Sequence, residues 1–264
     1  NEVVTSEGAY GYDILILATG CRTNFFNNRE LESRAYGLKT TYDAIRIRNG
    51  ILGNFERMVT ASEEERRFLG NIVIVGAGPT GVELAGSFAE LKRNVLPKDY
   101  PQLDFSRVRI WLLDGSPHTL NGMSDLARNA SARYLREMGV DVKTGVFVKS
   151  YDGNEILLSN GEHVPTRQVI WTAGVTGNLV DGIRQDAVVT GNRLSVDRFN
   201  KVAGYDNIFA VGDIAFMTTE KYPHGHPQVA NVAINQARNL ASTLRARTAG
   251  REGKPYEYTN LGSM

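Results

Sequence analysis

The segment Ile72-Val73-Ile74-Val75-Gly76-Ala77-Gly78-Pro79-Thr80-Gly81-Val82-Glu83 joins a buried-strand run to a glycine turn and a helix start. The β-branched run Ile72–Val75 suits a central parallel strand, which is apolar on both faces. In the Gly-x-Gly-x-x-Gly turn, Gly76 permits the tight reversal, Gly78 lets the backbone approach a pyrophosphate, and Gly81 allows helix and strand to pack closely. Pro79 opens the helix at a position whose N–H would be unpaired anyway. The free amides that follow, Thr80 among them, face the phosphates with the positive end of the helix dipole behind them. Glycine spacing alone is a weak signal, but the strand before it and the amphipathic Val82, Ala85, Phe88 and Ala89 after it supply the required context. The segment therefore predicts a dinucleotide cradle, with a plain strand-turn-helix as the alternative.

The remaining composition narrows the class. A chain of 264 residues with 42% hydrophobic and 22% charged residues is ordinary for a soluble globular protein of one large or two ordinary domains. The net charge of +1, with no basic block, argues against a nucleic-acid partner. One cysteine, Cys21, excludes an intrachain disulfide, dithiol chemistry and a cysteine-based metal site, and it fits a reduced, cytoplasmic setting. No run reaches the roughly 18 apolar residues of a spanning helix, and the start shows no basic-then-apolar signal. The chain begins with Asn1, inside an expected hairpin of Glu2–Thr5 and Tyr12–Leu17, so the expectation is a piece of a longer protein.

Periodicity predicts a buried strand from Tyr12 to Leu17 ending in Ala18-Thr19-Gly20, and a helix over about Thr41 to Thr60. The cradle helix should run from Pro79 to about Arg93. Leu96 to Gln102 is too proline-rich for a regular element and delays the next strand, Val108 to Leu113. A helix capped by Ser124 or Asp125 should follow, then short strands with hairpin turns at Asp152-Gly153-Asn154 and Asn160-Gly161. Further strands are expected at Gln168–Thr172, Arg193–Val196 and Ile208–Val211, then a long helix from Pro227 to Arg247 and a patternless tail.

Asp114 closes the strand after the cradle, where a carboxylate can accept both adenine-ribose hydroxyls and repel a 2′-phosphate. That favours NADH over NADPH, against the alternative of a turn former before Gly115. Glu83 is expected in the helix's first turn, where the dipole alone would favour an acid. Gly212-Asp213 puts a second acid at a strand's carboxyl end, where open α/β sheets bind ligands; the alternative is a turn or N-cap Asp. His224 and His226 have no acid or cysteine cluster beside them, so no metal site is expected and both read as exposed loop residues. Cys21 reads as a small buried hydrophobe.

Together these residues resemble the flavoproteins with two dinucleotide-binding domains, and most closely the type II NADH dehydrogenases, which are NADH:quinone oxidoreductases. The resemblance is carried by Ala18-Thr19-Gly20, Asp43 to Asn49, Gly76 to Gly86, the inserted Pro97 to Asp104 segment, Val169 to Val175, and Phe209 to Asp213. It implies an α/β fold with a Rossmann-like NADH-binding domain (67–178) inserted in a partial FAD-binding domain (1–66 with a bridging helix, and 179–264). It implies that Gly76, Gly78, Pro79, Thr80, Gly81 and Asp114 hold NADH, with Glu83 beside the nicotinamide and Gly174 at the end of the last strand. Gly20, Gly212, Asp213 and the helix start at Gln228, Val229 and Ala230 would serve FAD. The family's Gln-rich quinone phrase corresponds here to a stretch containing Asn231, Asn235 and Gln236.

The implied activity is hydride transfer from NADH to FAD and electron delivery to quinone, in a parent peripheral on the cytoplasmic face of a membrane and possibly a homodimer. The family's opening strand, with its own glycine motif, and its carboxyl-terminal membrane-docking helices do not appear. Two other readings are a related FAD-dependent NAD(P)H reductase with a soluble acceptor, and an NADH-binding module inactive as a fragment.

Overall fold

The computed structural model describes residues 1–260, which fall into two compact units: one from Thr23 to Gly174, the other from Asn1 to Arg22 together with the chain from Val175 onward. The first unit is therefore inserted in the second, in an α/β architecture.

The inserted unit is built on a five-stranded sheet in the order Tyr36–Gly37, Gln168–Trp171, Asn71–Val75, Arg109–Asp114, Val140–Thr144. Every neighbouring pair is parallel. Its two inner strands Asn71–Val75 and Gln168–Trp171 are buried along their whole length because both faces are covered. Ile72 and Ile74 point into a core with Ile47, Ile51 and Phe55 of the helix Thr41–Thr60 and with Ala85 and Ala89 of the helix Pro79–Asn94. Val73 and Val75, one residue out of step, point into the opposite core with Trp111, Ile156, Leu158 and Trp171. That second face is closed by an antiparallel sheet of Val148–Tyr151, Glu155–Leu158 and His163–Pro165, joined by the two expected turns. Asp152 Oδ1 accepts from the amides of Asn154 and Glu155 at the first turn, and Asn160 Oδ1 from Glu162 N at the second.

The helix Thr41–Thr60 begins at a reciprocal cap between Thr40 and Asp43, and the helix Asp125–Glu137 is capped by Ser124. The compact unit reaches further upstream than a boundary at residue 66. Tyr36–Gly37 adds an edge strand to the parallel sheet, and the helix after it buries one face on that sheet. The segment expected to be irregular is partly helical: Leu96–Asp99 forms one turn, with Pro97 at a first-turn position that needs no N–H. Leu96, Leu103 and Phe105 anchor the insertion in the helix-side core.

The outer unit is built from small sheets and one long helix. Glu2–Thr5 pairs with Gly8–Gly11, not with Tyr12–Leu17. The strand there is only Leu15–Leu17, parallel to Ile208–Ala210, because the tight turn at Ser6-Glu7 closes the hairpin locally. That strand is not fully buried either, since Ile16 is 46% exposed. The tail is not loose: Tyr256 N donates to Arg198 O (2.7 Å), Arg198 Nε donates to Tyr256 O (3.0 Å), and Tyr256 and Tyr258 are buried. Those rings surround His226, which is buried, contrary to the expectation of an exposed loop residue. Neither ring nitrogen of His226 has a hydrogen-bond partner, and burial pushes its pKa down.

Candidate functional site

Each cradle glycine answers a different steric demand. Gly76 adopts φ +110°, and a Cβ there would lie 2.6 Å from the Thr172 carbonyl carbon and the Ala173 nitrogen. At Gly81 a Cβ would lie 1.8 Å from the Gly76 carbonyl oxygen and 2.9 Å from Thr172 Oγ1. Gly78 is the opposite case: nothing lies within 4 Å of its Cβ position, so the space above it is open. Gly78 is the N-cap, Pro79 the first helical residue, and Val82 N→Gly78 O (3.0 Å) the helix's first internal bond. The amides of Thr80 and Gly81 precede that bond, and Pro79 and Thr80 are exposed. Open space beside free amides at a helix N-terminus is the geometry of an anion seat.

Asp114 is tied into both adjoining loops. Its Oδ2 accepts from Ala77 N (2.5 Å) inside the glycine turn, and its Oδ1 from Ser116 N (2.6 Å). It is thus a turn former, and a carboxylate with about four lone-pair sites retains acceptor capacity for a diol. Beside it opens a cavity of about 570 Å³ lined by Gly76, Asp114, Ser116, Phe147, Trp171 and Ala173, among others. That volume lies in the small-molecule range. Gly174, at φ +152°, borders the ring of Phe26, which itself takes φ +52°. Glu83 is exposed and sits one turn into the helix that starts at Pro79, so it lies beyond the first-turn position expected of it. Ser116, Phe147 and Phe26 carried no sequence signal, since no local pattern announces a cavity wall assembled from separate loops and strand ends.

In the outer unit, Gly212 (φ +73°) and Asp213 follow the strand Ile208–Ala210. Cys21 Sγ donates to Asp213 Oδ2 (3.0 Å), so the thiol is polar-bonded as well as buried. Arg193, also buried, has its pKa lowered by desolvation, an effect opposed by the charge of Asp213. Gly20, at φ +68°, accepts Asn178 N through its carbonyl (3.0 Å).

The long helix starts at Ala230, not at Pro227. Val229 is its extended N-cap, and Gln228 Nε2 donates to Asp213 O (3.1 Å). The amides of Ala230 and Asn231 precede the first paired amide, Val232 N→Val229 O (3.0 Å). Asn235 Nδ2 donates to Asn231 Oδ1 (2.7 Å), with both residues half-buried. Gln236, the last residue of the expected quinone stretch, is fully buried, and its Oε1 accepts Gly212 N (2.8 Å). Its Nε2 is buried without a hydrogen-bond partner. The amides of Ala230 and Asn231 are thus the donors left at the helix start, while the Asp213 carboxylate accepts from the Cys21 thiol. Among the described residues no cluster of histidines, cysteines or acids could hold a metal, and no helix is long and apolar enough to cross a membrane.

Comparison with known proteins agrees with this reading. Residues 1–237 match the family model described as pyridine nucleotide-disulphide oxidoreductase. The chain is 35% identical to the type II NADH:quinone oxidoreductase Ndh of Mycobacterium tuberculosis, over 96% of this chain and 56% of that protein. It is 33% identical to the external alternative NAD(P)H-ubiquinone oxidoreductase B4 of Arabidopsis thaliana mitochondria, over 80% of this chain and 38% of that protein. The structure of NDH2 from Plasmodium falciparum in complex with NADH superposes with a TM-score of 0.75 at 24% identity, covering 82% of this chain and 47% of that one. The chain thus spans about half the length of the relatives it matches. The expected resemblance to type II NADH dehydrogenases is borne out, and with a family model spanning most of its length the chain belongs to the pyridine nucleotide-disulphide oxidoreductase family.

Proposed function

We propose that the chain is the NADH-binding lobe and part of the FAD-binding lobe of a type II NADH dehydrogenase, passing two electrons from NADH to quinone. The observation that carries this reading is the open, amide-lined space above Gly78, next to the strand-end carboxylate of Asp114. In it, the amides of Thr80 and Gly81 bind the pyrophosphate, helped by Pro79, whose ring presets the first turn. Asp114 accepts from the adenine ribose and disfavours a 2′-phosphate. Gly174 and Glu83 belong to the nicotinamide end, where Glu83 is an exposed carboxylate.

The residues assigned to FAD are Gly20, Gly212, Asp213, Gln228, Val229 and Ala230; bound there, it supplies the change from hydride acceptance to delivery of electrons to quinone. The free amides of Ala230 and Asn231 would face a flavin held there with the positive end of the helix dipole behind them, and would favour charge on its reduced ring. Asn231 and Asn235, on one helix face, offer amides to the quinone, while Gln236 positions the Gly212 turn. A quinone is apolar, so the parent works at a membrane surface.

The test is a titration with NADH followed by NADH oxidation by the FAD-supplied protein with and without a short-chain quinone. Binding and quinone stimulation are expected. No NADH binding would refute the electron donor, and binding without stimulation would refute the acceptor.

A further inference from the structure

We propose that Phe147 is the aromatic wall against which the adenine ring of the dinucleotide lies, and that Gly115 is the position that leaves room for its ring beside the cavity. The proposal rests on the assignment of the cradle to NADH and adds the adenine contact to it. Phe147 follows the strand Val140–Thr144, next in the sheet to the strand that ends in Asp114.

The two loops are tied together: Gly145 N donates to Ser116 O (2.9 Å) and Val146 N to Asp114 O (3.0 Å). The Phe147 backbone is fixed on its other side, its N–H donating to Ser159 Oγ (3.0 Å) and its carbonyl accepting Ser159 N (2.8 Å). Its ring lines the same cavity as Asp114 and Ser116, yet it is 64% exposed. A Cβ on Gly115 would sit 2.1 Å from the Phe147 ring, so only glycine there permits this ring position. A rigidly based, solvent-facing aromatic ring beside the ribose carboxylate is a stacking surface for a flat base. The base that follows an adenine ribose is adenine.

Base stacking on an aromatic side chain changes affinity by about 5- to 100-fold on truncation to alanine. The experiment titrates the whole chain with NADH, 5′-AMP and nicotinamide mononucleotide, for wild type, F147A, F147W and G115V. Wild type should bind 5′-AMP. F147A should weaken NADH and 5′-AMP alike by about tenfold and leave the mononucleotide unchanged. F147W should retain binding, and G115V should reproduce F147A by displacing the ring. Equal NADH affinity in F147A and wild type would overturn the adenine contact while leaving the cradle standing. An equal loss for the mononucleotide would overturn it too. Failure of the wild-type chain to bind NADH at all would remove both.

Discussion

Two alanine substitutions three residues apart in the cradle should have opposite consequences. In Gly81→Ala the new methyl would meet the Gly76 carbonyl oxygen at 1.8 Å, a backbone atom that no rotamer change can move aside. Helix and strand must separate, or the turn must open. Overpacking of a close contact costs about 1–3 kcal/mol, and a backbone collision belongs at the top of that range. Replacing glycine by alanine inside a helix returns about 1 kcal/mol. The net loss is about 2 kcal/mol, or about 4–8 °C in Tm for a unit of this size.

Gly78→Ala meets nothing within 4 Å, at a φ of −72° open to any residue. Its weaker N-cap preference, about 0.5–1 kcal/mol, is offset by reduced unfolded-state entropy of similar size. That variant should melt with wild type, while its methyl occupies the space assigned to the pyrophosphate and weakens NADH by more than about tenfold, or 1.4 kcal/mol. Calorimetric melting and an NADH titration on both variants separate the effects. Wild-type melting of Gly81→Ala would show that the close packing is not what the glycine is for. Unchanged affinity in a folded Gly78→Ala would refute the phosphate path.

Asp114→Arg should weaken NADH and improve NADPH, measured as the ratio of their dissociation constants; an unchanged ratio would take Asp114 out of the ribose site. Burial pushes the Tyr151 phenol up to about 12, so its contribution to stability is complete below the unfolded value near 10 and disappears as pH rises through about 12. Over that window wild type should lose about 2–3 kcal/mol more than Tyr151→Phe in denaturant titrations, and parallel curves would contradict the burial argument. His226 is shifted the other way: its folded pKa lies below 6.5, so stability is present above 6.5 and falls as pH drops through the folded value. His226→Gln should flatten the acid limb of a melting-temperature profile, and an unaltered limb would mean another group sets it.

The strand, the glycine turn and the helix after it were legible in the sequence because their determinants are local: β-branched runs, a permitted φ at Gly76, and a proline at the first helical position. The Ser124 cap and the Asp152 turn were readable for the same reason, since a side chain bonding its own neighbouring backbone needs no distant partner. What needed the fold was every pairing across long stretches of chain. Leu15–Leu17 chose Ile208–Ala210 as its partner, Tyr256 and Tyr258 closed over His226, and Gln236 turned inward to the Gly212 amide. None of these leaves a periodicity, because each is decided by which surfaces meet once the sheet has formed. The wall that sets Phe147 beside Asp114 is of this kind as well: two parallel strands 4.7–4.9 Å apart bring their loops together, a spacing that geometry supplies and composition does not.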